Sequence, residues 1–140
     1  MSSRAFLLGA VGAAILAVLA GAYVVGSPYE ARRQRFDDRR HQELAVIAGT
    51  LLCLSDKAAV LPSELTPESL RSYCGARGLR PSAFRDDETG ELYRYTRKSD
   101  DEYLVCAKFH DADRTARTRI GSPSRWAFDP ATGCITGRIR

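Results

Sequence analysis

Imidazole is scarce in this chain, which has only two histidines, His41 and His110, and none of its cysteines stand in a Cys-x-x-Cys pair. Both absences argue against a zinc or other transition-metal centre, which draws on clustered His and Cys ligands. No nucleophile, base and orienting group can be assembled from the residues present, so an enzyme is not expected. The spacing of an EF-hand calcium loop is missing as well. Carboxylates are absent from the front of the chain, where Glu30 is the first of 17 Asp and Glu residues. The formal net charge is only +4, and most basic stretches are interleaved with acids. That pattern suits a solvated surface rather than a nucleic-acid stripe, and nucleic acid is not expected as a partner.

What is present begins with a membrane segment. Ala5 to Val25 is uncharged and almost wholly apolar, about the length that ~30 Å of hydrocarbon demands of a helix. Residues 1–26 therefore read as a transmembrane anchor. A cleaved export signal is the rival, with Arg4 as its basic start and Ala20-Gly21-Ala22 as its cleavage site. The anchor is preferred because the apolar run continues through Tyr23, Val24 and Val25. Gly9, Ala13, Ala17 and Gly21 recur every four residues and would line one groove of a helix, an arrangement that lets a second helix approach closely. This motivates an expectation of self-association or of packing against other membrane subunits. Small residues are also simply common in such segments.

Orientation draws on two opposed signals. Arg32, Arg33, Arg35, Arg39 and Arg40 follow the anchor, and a count of basic residues places the domain in the cytoplasm. Cys53, Cys74, Cys106 and Cys134 are even in number and widely spaced in a small domain, as disulfide-forming cysteines are in an oxidising compartment. We weight the cysteines and expect a domain on the periplasmic side of an inner membrane. Four cysteines allow three connectivities; nearness of the predicted elements favours Cys53 with Cys74 and Cys106 with Cys134.

Ser27-Pro28-Tyr29-Glu30 is a helix start, with a capping serine and a proline where the first N–H has no partner to lose. The avoidance of helical geometry before proline predicts a kink or hinge at the joint with the anchor. The second helix is expected from Pro28 to about Ala59. Its charged part, residues 27–43, reads as a stalk, with Arg33/Asp37, Asp37/Arg40 and Arg39/Glu43 at pairing distance. Leu44, Ile47, Ala48, Leu51, Leu54 and Ala58 then make one apolar face, the spine of a small α+β domain over 44–140. Thr66-Pro67-Glu68-Ser69 starts a short helix reaching about Ala76, with Gly78 as its stop.

Beyond it the periodicity changes to two. Leu92 to Lys98 and Glu102 to Phe109 alternate across the turn Ser99-Asp100-Asp101 and predict a hairpin. Arg125 to Phe128 and Cys134 to Ile139 predict another across Asp129-Pro130-Ala131-Thr132-Gly133. Residues 110–124 read as a polar loop. The stretch from Asp86 to Phe109 holds seven carboxylates and three tyrosines. The carboxylates at its turns are expected to be solvated, with a calcium loop as the alternative.

The order of a membrane helix, a long amphipathic helix, a short helix and an antiparallel sheet resembles the type IV pilins and the pseudopilins of type II secretion. The segment Asp86-x-x-Thr89-Gly90-x-x-Tyr93-x-Tyr95 is similar to a hairpin of small membrane-anchored bacterial domains with that layout. The resemblance covers roughly residues 30–110 and implies a long helix packed on a small sheet. Processed pilins carry Gly before Phe and then a Glu, whereas Ala5 precedes Phe6 here and Ala10 stands at the Glu position. The layout is carried over, and assembly into pili is not. The resemblance also implies a calcium loop, which Asp86, Asp87, Asp111 and Asp113 would imitate; no other cofactor is expected.

Remaining candidates are weaker. Cys106 and His110 lie four apart with nothing to orient the histidine, so Cys106 reads as structural. His110-Asp111-Ala112-Asp113 could offer metal ligands. Arg114, Arg117, Arg119 and Arg125 could face phosphates or an acidic partner, and Trp126 and Phe128 alternate as core residues should. The expected function is a structural or accessory subunit of a larger bacterial membrane or envelope complex, the alternative a calcium- or envelope-ligand-binding module.

Overall fold

The computed structural model describes residues 3–25, 27–53, 60–74, 81–118 and 125–140. It divides into two units, residues 1–33 and 34–140. The first contains helix α1 (Ser3–Val25) and the first residues of helix α2 (Pro28–Leu51). α1 is long and apolar enough to cross a membrane, and Leu8, Val18 and Val24 are 74%, 71% and 83% exposed. The start of α2 is built as its sequence requires. The Ser27 carbonyl accepts from Ala31 N at 3.1 Å, and the Ser27 hydroxyl accepts from Tyr29 N at 3.3 Å. The hinge expected before it involves Gly26, outside the described residues.

The second unit is α+β. After α2 come helix α3 (Pro67–Cys74), a 3-10 turn (Pro81–Phe84), strands β1 (Arg94–Arg97) and β2 (Glu102–Cys106), helix α4 (Ala112–Thr118), and strands β3 (Trp126–Asp129) and β4 (Cys134–Arg138). Thr66 and Ser69 cap α3 reciprocally, each hydroxyl accepting the other's backbone N–H at 3.0 Å, an arrangement that satisfies orphan donors of the first turn. The expected end of this helix near Ala76, its stop at Gly78, and Leu54 and Ala58 of the spine lie outside the described residues.

The sheet is antiparallel throughout, in the order β1-β2-β4-β3. Both hairpins form where alternation and turn residues placed them. In the second, Gly133 has a φ of +67°, and a Cβ there would stand 2.6 Å from the Ala107 carbonyl oxygen, so the turn needs glycine for backbone geometry and for space. Asp129 closes it by accepting from Ala131 N at 3.0 Å and the Thr132 hydroxyl at 2.7 Å.

One face of the sheet meets α2. Tyr103, Val105, Trp126 and Ile135 share the core with Leu44, Ile47, Ala48 and Leu51 of α2, and with Leu61, Leu70 and Phe84. The alternation of period two puts Leu104, Cys106 and Thr136 on the other face. There Cys106 and Cys134 are direct cross-strand partners joined by a disulfide, the second of the two pairings expected. Cys53 is not a free thiol; the side chain of Cys74, its expected partner, lies outside the described residues.

Two features differ from the sequence reading. The compact unit begins at Gln34 instead of residue 44, because Asp37, Arg40 and His41 of the expected stalk are buried. His41 stands edge-on to Phe128, with ring centroids 5.0 Å apart. The supposed polar loop after residue 110 contains α4, started by Asp111, whose side chain accepts from Arg114 N at 2.8 Å.

Candidate functional site

The strongest concentration of charge in the described residues is a buried junction between α2, the turn at residues 86–90, and the start of α4. Helical spacing on α2 sets Asp37 beside Arg40, with Arg40 Nη1 donating to Asp37 Oδ1 at 3.0 Å. The same guanidinium grips Asp86, through Nε to Oδ2 at 2.5 Å and Nη2 to Oδ1 at 3.2 Å, the fork geometry that suits arginine and carboxylate. Arg40 Nη2 also donates to Glu88. Arg40 is 3% exposed and Asp37 1%, so neither charge is stabilised by bulk water, and their partners must satisfy them.

Each carboxylate in turn holds backbone. Asp86 accepts from Glu88 N at 2.8 Å and Thr89 N at 3.1 Å, and its own carbonyl accepts from Gly90 N at 2.7 Å. Gly90, with φ +73°, lets the chain reverse, and the returning strand places Tyr93 N on the Phe84 carbonyl. Asp37 accepts from His110 N at 2.9 Å and Asp111 N at 2.7 Å, tethering the chain just before α4. His110 Nε2 lies 2.8 Å from Glu88 Oε2, and Arg114 donates to the Gln34 carbonyl and to Asp38 at 3.1 and 3.2 Å.

The electrostatics follow from this packing. Burial opposes the charge on Arg40, and the hydrogen bonds to Asp86, Glu88 and Asp37 outweigh it, holding its pKa above the ordinary arginine value. Burial would raise Asp86, yet the Arg40 hydrogen bond and the two backbone donors hold its pKa below the usual carboxylate value. Glu88 is lowered chiefly by His110 and also by Arg40. Nearby, Glu43 is raised by burial, partly offset by the Tyr93 hydroxyl that donates to it. Burial pushes the Tyr95 phenol up to about 12 while its hydroxyl donates to the Pro62 carbonyl at 2.9 Å.

The four carboxylates named as calcium candidates take separate roles. Asp86 is committed to Arg40, Asp87 pairs with Arg39 at 2.6 Å, Asp111 caps α4, and Asp113 lies exposed on that helix. Among the described residues no group of three or more His, Cys, Asp or Glu is arranged to hold a metal ion. The expectation that the acids at these turns are solvated fails for Asp86, which is 5% exposed, because the buried Arg40 needs a partner. Cys106 is in a disulfide and is no thiol nucleophile. Arg114 is turned onto α2 instead of outward, and Arg119 lies outside the described residues. Gly9, Ala13, Ala17 and Gly21 lie on α1 as spaced, with nothing within 4 Å of a Cβ built at Gly9 or Gly21.

No protein-family model matches this chain, and no curated protein or solved structure matches it. The junction's acids and bases are spent on one another and on backbone N–H groups, which makes it a structural lock between three segments. Reasoning from sequence found the Asp37/Arg40 pair and missed that it is the centre of the lock. The signal was an arginine and an aspartate on the side of α2 that continues into Leu44 and Ile47.

Proposed function

We propose that this chain is a membrane-anchored structural or accessory subunit of a larger bacterial membrane or envelope complex, presenting a small pseudopilin-like domain on the periplasmic side of the inner membrane. One observation carries the reading. An apolar helix whose large side chains are exposed along its length is followed by a domain in which, among the described residues, the buried charged groups are engaged with one another. Such a helix is costly in water and needs lipid or other apolar helices around it, and a domain whose buried charges are spent on one another suits docking better than turnover. The stripe of Gly9, Ala13, Ala17 and Gly21 supplies a face for packing in the membrane. The rival reading, a calcium- or envelope-ligand-binding module, has less support, because Asp86 and Asp87 are taken by Arg40 and Arg39.

Extraction of the native protein in mild detergent tests the proposal. The expected result is an intact amino-terminal helix and companion proteins in an assembly heavier than a homodimer. A bare monomer or homodimer, or a mature chain beginning after Ala22, overturns it.

A further inference from the structure

We infer that the first two turns of α2 bind the phosphate headgroups of anionic phospholipids through Arg32 and Arg35. Glu30 is the sole carboxylate in residues 1–36, and it is paired with Arg33 at 3.8 Å. The Arg33 guanidinium also lies over the Tyr29 ring, 5.7 Å from its centroid, and Arg39 is held by Asp87 at 2.6 Å. That leaves Arg32 and Arg35, both exposed and neither in an ion pair among the described residues. Three residues apart on one helix, they share a side, and it is not the side on which Asp37, Arg40 and Leu44 are buried.

Their distance from the anchor suits headgroups. Arg32 follows the end of α1 by only seven residues, a length of chain that spans about 10 Å at helical rise and at most about 25 Å if extended. Each headgroup layer is ~5–7 Å deep, taken as half the difference between the full bilayer and its hydrocarbon core. Helical side chains lean toward the helix amino terminus, which on α2 is the end nearer the anchor in sequence, and a long arginine side chain can extend its charged head toward headgroups. Tyr23 and Tyr29, 90% and 68% exposed, flank the joint as amphipathic aromatics do at a membrane surface. The planar guanidinium fork matches phosphate, and a membrane anchor keeps lipid phosphates permanently beside it.

The inference rests on the anchor in the proposed function, and its test separates the two. The full chain is reconstituted in phosphatidylcholine vesicles containing phosphatidylglycerol, and its association with spin-labelled forms of both lipids is compared. The wild type should prefer phosphatidylglycerol at low salt by about fivefold, and the preference should shrink as salt screens it. Arg32→Gln with Arg35→Gln should bring the ratio close to unity, whereas Arg39→Gln should leave it unchanged. Equal association of both lipids with the wild type, or a preference undiminished in the double variant, overturns the inference. A carbonate wash runs in parallel. Release of the wild type from the vesicles overturns the anchor and this inference together, whereas retention without a lipid preference overturns this inference alone.

Discussion

The phenol end of Tyr103 covers Gly137, its cross-strand partner, so closely that a Cβ on the glycine would stand 2.5 Å from the ring Cζ. The same hydroxyl donates to the Ala48 carbonyl of α2 at 3.2 Å. One residue thus fills the gap left by the missing side chain and ties sheet to helix. Gly137→Ala should destabilise the domain by about 1–3 kcal/mol, the usual cost of overpacking a core. Tyr103→Phe should cost only ~1 kcal/mol, since it removes one hydrogen bond and the Ala48 carbonyl keeps its bond from Leu52 N. Chemical denaturation of both variants checks the order; equal stability of Gly137→Ala and the wild type would sink the account.

Arg40 and Arg39 are neighbours of opposite consequence. Arg40→Met leaves Asp37 and Asp86 buried without their cation, and should cost about 3–5 kcal/mol. Arg39→Ala removes an arginine whose side chain is 60% exposed, and should cost ~0–1 kcal/mol. Urea midpoints of the two variants measure the contrast, and similar losses would show that the junction is not the lock described.

The same junction should make the domain acid-sensitive. Asp86 and Glu88 have lowered pKa values in the folded state, so the folded chain binds their protons less readily than the unfolded chain does. Their contribution is complete above the ordinary carboxylate range and is lost as pH falls through the lowered values. Glu43, raised by burial, has the opposite sign, and its contribution is lost as pH rises through its raised value. Stability measured from about pH 6 down to about pH 3 should fall, and Asp86→Asn should be less stable at neutral pH with a flatter acid limb. An unchanged acid limb in that variant would refute the assignment.

Cys106 and Cys134 are separated by 28 positions. Closing a loop of that length restricts the unfolded chain by about 3–4 kcal/mol in the chain-entropy account. The double Ser variant should lose approximately that much and retain its fold. Non-reducing peptide mapping should recover the two cysteines linked; a link from Cys106 to Cys53 would contradict the sheet register.

For the membrane stripe, Gly9→Leu with Ala13→Leu should diminish the detergent-extracted assembly and leave thermal unfolding of the domain unchanged. An assembly of unaltered mass would remove the stripe from the proposed function.

The sequence alone determined the elements whose causes are local. The apolar run of α1, the Ser27-Pro28 and Thr66-Pro67 helix starts, the alternation of the four strands and the turn at Asp129 to Gly133 all follow from neighbours within a few residues, so periodicity and turn chemistry reveal them. The pairing of Cys106 with Cys134 was legible too, because it follows from two adjacent hairpins. Only the tertiary structure decided which charges are buried. Arg40 meets Asp86 across 46 positions and Asp37 meets Asp111 across 74. Nothing in the run Asp86-Asp87-Glu88 distinguishes the acid that turns inward from those that stay wet. The start of the domain at Gln34 was hidden for the same reason, since a charged helix face looks solvated until its partners arrive from distant segments. α4 went unread because its seven residues are too short for a periodic signal, and its anchoring to α2 through Asp37 is a long-range contact.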